Sequence, residues 1–349
     1  MDALALNTLV PTVATKCNVQ DTVRFVSGDG VKKNERTICF YDLKMVVSSV
    51  GHPSPTPLTA RDACVLIGQL SAQQRQLDRK GAKQVFGISD CRLSELEATF
   101  LFYRSDKEHA DPIFRNHQSR ALREINKNVD EGHAFSAHAV IRFAADPLMP
   151  AKMYLESAQG LGASRIAVVL RQLLRRTRKK NPQIFLQNAP NGATDAQGKL
   201  LQFKIHHDFE IRGVVSADFA ADLNRGTFSD IELISEGEVE EGFDEERYFI
   251  ETASTVRLKV NPQYDKVVDR LQQLTRILRN KKDDFSKAKI KFKSPTGAEQ
   301  RVAWDSDSGF EERYIRKELL KRFGVPLKSS YDAFHPELLE HIRRLADDD

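Results

Sequence analysis

Residues 164–180, SRIAVVLRQLLRRTRKK, decide how this chain is read. At about 100° per residue, Ile166, Leu170, Leu173 and Leu174 fall in one arc with Thr177 among them, which predicts a helix with one face on a core. Arg165, Arg171, Arg175, Arg176, Arg178 and Lys179 occupy the opposite side, and Lys180 extends the run. Asn181 and Pro182 end the helix, because proline lacks the N–H and holds its predecessor in extended conformations.

A stripe of leucines needs something to cover, and the flanking sequence supplies strands. On the N-terminal side, TVRFV and ERTICFYDLKMVVSSV within residues 22–50 flank the glycine-bearing turn SGDGVKKN and read as a hairpin. QVFGISDCRL and ELEATFLFYRS read as a second strand pair, the latter sending Leu96, Phe100 and Phe102 to a core; another strand is expected over 134–143. On the C-terminal side, residues 200–213 alternate, with Phe203, Ile205, Phe209 and Ile211 on one face and Lys204, His206, Asp208 and Glu210 on the other. Further helices are expected at 59–80, with Thr59 as N-cap, at 119–126, at 263–282, and at 311–323 and 335–349 in the tail. Regular βαβ alternation is absent, so the fold class is α+β with mostly antiparallel sheets. Two prolines in DPLMP, 146–150, suggest a boundary between an N-terminal β-rich domain, 1–150, and a C-terminal basic α+β domain, 151–349.

The 349 residues are 40% hydrophobic and 29% charged, the balance of a globular chain able to bury a sizeable core. A net charge of +4 is mild, so any acidic partner must be recognised by local charge. Positive residues gather at 165–180 and 276–293, whereas 230–251 is acidic through Glu236, Glu238, Glu240, Glu241, Asp244, Glu245 and Glu246. Cys17, Cys39, Cys64 and Cys91 form no CxxC pair and read as reduced thiols, which fits a cytoplasmic protein. No run of about 18 apolar residues occurs, so no membrane association is expected.

The basic helix carries no acid at i±4 between Arg165 and Lys180, so its charges are uncompensated along the helix. Guanidinium groups in such a row suit phosphates, which makes DNA or RNA the expected partner; pairing with the 230–251 acids within the chain is the competing use. Lys287, Lys289, Lys291 and Lys293 share one face of a strand whose other face is Ala288, Ile290 and Phe292. Those lysines serve either as a second phosphate rail or as the guard of an exposed sheet edge. Both clusters lack the mix of Asn, Gln and small residues expected of a base-reading helix, so contact with the nucleic-acid backbone and little base specificity are expected. A seam of Tyr264, Val267, Leu271, Leu274 and Leu278, spaced 3, 4, 3, 4, offers a helix–helix contact and suggests a homodimer.

No nucleophile motif, phosphate-binding loop or known metal-ligand spacing is present, so a non-enzymatic protein without cofactor is expected. Gly160, Gly162 and Ser164 precede the helix but match neither glycine-rich fingerprint. One alternative is a divergent metal-dependent nuclease or phosphodiesterase, built on His109, His117, His133 and His138 with Asp111, Asp130 and Glu131 in 106–143. Another is an adaptor that binds a partner protein through the acidic segment.

Residues 246–274, ERYFIETASTVRLKVNPQYDKVVDRLQQL, place a threonine-bearing strand that ends in alternating basic and aliphatic residues ahead of a helix. In this stretch the chain resembles the phage superinfection-exclusion proteins typified by the lambda Rex A protein. The resemblance implies a dimeric, non-enzymatic DNA-binding protein of α+β architecture, acting in phage exclusion or lysogeny.

Overall fold

Strand β1 (Glu35–Ser48) is the axis of the fold, because it is paired on both sides, over 35–39 and 41–48 on one and over 38–43 on the other. The structure, a computed structural model, describes residues 32–147, 149–236, 253–259, 270–281, 285–305, 309–310 and 312–349. After β1 come helix α1 (Ala60–Gly68), strands β2 (Gln76–Arg79), β3 (Gln84–Leu93) and β4 (Glu97–Asp106), a small ribbon of β5 (Ile113–Arg115) and β6 (Leu122–Glu124), then β7 (His133–Arg142) and β8 (Ala151–Glu156). Helix α2 (Ala163–Lys180), β9 (Leu186–Asn188), β10 (Gln202–Lys204) and β11 (His206–Gly213) follow. The remainder is α3 (Ala217–Arg225), β12 (Thr227–Glu236), β13 (Ala253–Leu258), α4 (Arg270–Asn280), β14 (Lys287–Lys293), β15 (Glu299–Asp305), β16 (Gly309–Phe310), β17 (Lys317–Lys321) and α5 (Pro336–Asp347).

The main sheet has eight strands in the order β11-β1-β8-β7-β4-β3-β2, with β17 also on β1, and its pairings are antiparallel. Strand parity sends Tyr41, Leu43, Phe100, Phe102, Ala137 and Ala139 to one face, under α1 and α2. Ile38, Phe40, Leu101 and Val140 go to the other, under α5. Both faces are covered, which is why the central strands are apolar at successive positions such as 100–102. The mixed, mostly antiparallel architecture is the one expected for the α+β class.

The boundary expected at 150 falls inside this sheet. Strands β7 and β8 pair directly, with Ala139 opposite Leu155, so the prolines near 147–150 shape the turn between neighbouring strands. The division that the strands draw lies elsewhere. Strands β11 and β17 lie end to end along one side of β1, on residues 41–48 and 35–39. Residues 215–315, between them, build a separate five-stranded sheet in the order β13-β12-β14-β15-β16. Its own core gathers Phe219, Leu223, Leu274, Leu278, Ile290, Phe292 and Trp304. It is an insertion whose ends meet: the Arg316 N–H donates to the Val214 carbonyl at 2.7 Å, and Val215 bridges Ile315.

Three helices expected from the sequence are shorter or absent. Thr59 does cap α1, accepting from the Asp62 N–H at 3.0 Å, but the helix stops at Gly68. The polar run after it has no stripe to bury; Ser71 and Gln74 exchange hydrogen bonds in a separate turn, and Leu77 is buried from β2. Residues 119–126 form a turn and β6, because the Asn116 carboxamide oxygen accepts from the N–H groups of Gln118 and Ser119, and Arg120 takes a left-handed φ of 59°. Residues 311–323 hold β17, where the open side of β1 provides hydrogen-bond partners that outweigh helix propensity. Leu96 precedes β4 and is exposed, whereas Phe100 and Phe102 are buried as expected.

Candidate nucleic-acid interface

Helix α2 buries Ile166, Leu170, Leu173, Leu174 and Thr177, the stripe expected from spacing, together with Val169. The leucines fix the helix on the main sheet, and the cations therefore emerge along both its flanks. On the β11 side, Arg171 pairs with Asp208 and Arg178 Nη1 lies 2.6 Å from His206 Nδ1. These groups border a groove of 350 Å³ between α2 and strands β1 and β11. Towards β2, Arg176 donates to the carbonyls of Gln74 and Gln76 at 2.7 and 2.5 Å. The Arg165 guanidinium stacks 4.8 Å from the Phe86 ring centroid, and a second groove of 430 Å³ runs between α2 and β2. That groove carries Arg79, Arg165, Arg175, Arg176, Arg178 and Lys179 against one acid, Asp78.

Arg175, Lys179 and Lys180 are exposed, and their side chains have no ion pair or hydrogen bond among the described residues. Arg165 has its pKa lowered by burial and by the neighbouring charges of Arg79 and Arg104. Arg104 does have a counter-charge, Asp106, and so the net excess belongs to Arg79, Arg165 and the α2 residues. No ion pair joins α2 to Asp230 or Glu232 among the described residues; residues 237–252 lie outside them. The loop before α2 is shaped by crowding: Gly160 has a φ of +72°, and a Cβ there would collide with the Arg104 guanidinium. Gly162 is the N-cap and supplies no side-chain bond. Arg79 and Arg104 lay outside the sequence reading because each is a single cation in an alternating strand; only the fold carries them to α2.

The lysine strand is placed differently. As β14 it is an interior strand between β12 and β15, which removes the edge-guard explanation. Its alternation is as expected, Ala288, Ile290 and Phe292 being buried and Lys287, Lys289 and Lys293 exposed, with Lys291 half-buried. The lysine face also carries acid. Glu232 lies 3.1 Å from Arg257 and 4.0 Å from Lys291, and Glu299 is registered opposite Lys293. This face is mixed where that of α2 is nearly all positive.

Two other expectations change. Leu274 and Leu278 of the seam are buried in the inserted unit's own core, so these two are not available to a second copy; Tyr264 and Val267 lie outside the described residues. Strand parity on β7 separates His138 from His133. His138 faces α5, with Nδ1 2.7 Å from Glu156 and Nε2 accepting from the His335 N–H at 3.0 Å. His133 faces the opposite side, stacked with His109 and Phe135. Among the described residues no three His, Cys, Asp or Glu side chains are grouped as a metal would need. No helix among them is long and apolar enough to cross a membrane. No family model, curated protein or solved structure matches the chain.

Proposed function

We propose that this chain binds nucleic acid through phosphate contacts along α2, with little base specificity and without chemistry of its own. The observation that carries the reading is the row Arg175, Lys179 and Lys180, exposed and without partners beside the crowded guanidiniums of Arg165 and Arg79. Uncompensated cations cost stability through repulsion, and a polyanion relieves that cost while releasing its own counterions. Lys287, Lys289, Lys291 and Lys293 form a secondary, weaker contact in this reading, since Glu232 and Glu299 offset them. The setting we propose, cytoplasmic phage exclusion, rests on the resemblance over 246–274.

A fluorescence titration of labelled duplex at several salt concentrations tests this. With about six phosphates neutralised, log affinity falls against log salt with a slope of roughly −5. Arg175→Glu combined with Lys179→Glu flattens the slope by about two units and weakens binding to every sequence alike. Equal binding by both proteins removes α2 as the interface, and cleavage of the labelled strand with Mg²⁺ or Mn²⁺ present would overturn the non-enzymatic reading.

A further inference from the structure

The β5–β6 ribbon rises from the main sheet between β4 and β7, and every residue over 113–126 is exposed. A ribbon of two three-residue strands has no core of its own, and it exposes Ile113, Phe114, Leu122 and Ile125. Such an excursion between two strands that pair directly at Asp106 and His133 is not needed to close the sheet. It is nonetheless ordered by local bonds. The Ile125 N–H donates to the Pro112 carbonyl at 3.0 Å and the Asn116 N–H to the Ala121 carbonyl at 2.9 Å, while Arg123 stacks 5.5 Å from the Phe114 ring centroid. Its base is pinned by Asp106, which accepts from the Glu108 N–H at 2.9 Å and from Gln84 at 2.8 Å.

The charge on the ribbon is predominantly positive, its one acid being Glu124 at the end of β6, opposite Ile113. Residues 112–123, PIFRNHQSRALR, contain Arg115, Arg120, Arg123 and His117 and no acid. The ribbon's base and the start of α2 meet at β4: Arg104, two residues before the Asp106–His133 pair from which the ribbon departs, lies against Gly160 in the loop that leads into α2. Each arm, about four residues at roughly 3.3 Å, reaches about 13 Å from the sheet. The major groove of B-form DNA is about 12 Å wide and 8.5 Å deep and admits a two-stranded ribbon, whereas the major groove of A-form RNA is too narrow.

We infer that the β5–β6 ribbon enters the major groove of duplex DNA while α2 holds the adjoining phosphates. This rests on the phosphate reading of α2 above, narrows it to one polymer and adds to it base-edge contacts that α2 itself does not make. Arg120 lies in the turn, where a guanidinium meets guanine edges, and the Gln118 carboxamide is of the type that pairs with adenine; Arg115 closes β5 beside them, its Nη1 donating to the Arg120 carbonyl at 3.3 Å. The Asn116 oxygen is engaged in its own turn and shapes the tip instead.

The test compares wild type, Arg115→Ala/Arg120→Ala/Arg123→Ala, and Arg175→Glu/Lys179→Glu on duplex DNA and duplex RNA of one sequence, with thermal midpoints as a check on folding. All the ribbon substitutions are on exposed residues, so its midpoint is expected to match wild type. The ribbon variant is expected to lose about tenfold or more on DNA and less than twofold on RNA; the α2 variant loses on both. A second probe, Gln118→Cys carrying a photocrosslinker, is expected to label bases and not sugars alone. If the α2 variant loses DNA and the ribbon variant does not, this inference fails and the phosphate reading stands. Equal loss on DNA and RNA sinks the groove assignment, and a wild type that binds neither overturns both.

Discussion

Glu156 is buried at 3% exposure, where burial alone would raise its pKa. The opposite holds: hydrogen bonds from the His138 ring and N–H, with the charge of Arg36, keep its pKa below the ordinary 4.5. Arg36 donates to it at 2.8 Å and spends its other N–H groups on the carbonyls of Lys32, Glu35 and Lys328, so one buried guanidinium ties the C-terminal segment to β1. Glu156→Gln leaves Arg36 buried without its counter-charge and is expected to cost about 3–5 kcal/mol. A depressed carboxylate stabilises the fold above its unfolded pKa and loses that contribution as pH falls through the folded value. The urea midpoints of wild type and variant should therefore be furthest apart near neutrality and converge below pH 4.5; a gap that stays constant to acid pH would refute the assignment. The histidines of this region were visible in the sequence as a group. His133 and His138 lie five apart on β7, so alternation alone sends them to opposite faces; which of those faces α5 covers depends on the fold, which a single strand does not reveal.

At the scale of the element, α2 was legible because a 3.6-residue period needs no partner to be seen, and even its Pro182 stop is local. Its tertiary contacts were not, since Asp208, His206 and the carbonyls of Gln74 and Gln76 come from remote strands. The tail segment 311–323 misled for the same reason: Leu319 and Leu320 sit well in a helix until β1 offers them a sheet. Arg175 and Lys179, four apart and without partners, repel each other in the free protein. Replacing Lys179 by Ala should raise stability by about 0.2–0.5 kcal/mol while weakening nucleic-acid binding. A denaturation curve and a titration on the same variant check the two signs, and a loss in both would point to a structural role for Lys179. On β14 the parity predicts a contrast. Phe292→Ala, which opens a hole beside Phe219 in the inserted unit's core, should cost about 3–5 kcal/mol, and Lys289→Ala little. Comparable losses from the two would contradict the burial pattern.

For the whole molecule, the arrangement of β11 and β17 on one side of β1 has a testable consequence. The proline-bearing stretch near 150 looked like a boundary because prolines interrupt regular structure, yet a loop that joins two paired strands accommodates the same residues. The true discontinuity leaves no such mark, as the chain exits at Val214 and returns at Arg316 through the antiparallel bridge of Val215 and Ile315, closed by hydrogen bonds from Arg316 to Val214 and from Ser216 to Tyr314. Insertions are tolerated where the two ends lie together, and the two cores on either side of the main sheet draw nothing from residues 219–310. Deleting 216–314 and joining the ends with a short Gly/Ser linker should thus leave a protein that unfolds cooperatively. Ile315, which packs with Gly213 in the main core, must be retained. Because α2 and the β5–β6 ribbon both stay, duplex DNA binding should persist; the salt slope should flatten only by the share that Lys287, Lys289, Lys291 and Lys293 contribute. A folded deletion product that no longer binds would transfer the interface to the inserted sheet, and one that fails to unfold cooperatively would show that the two units share their stability.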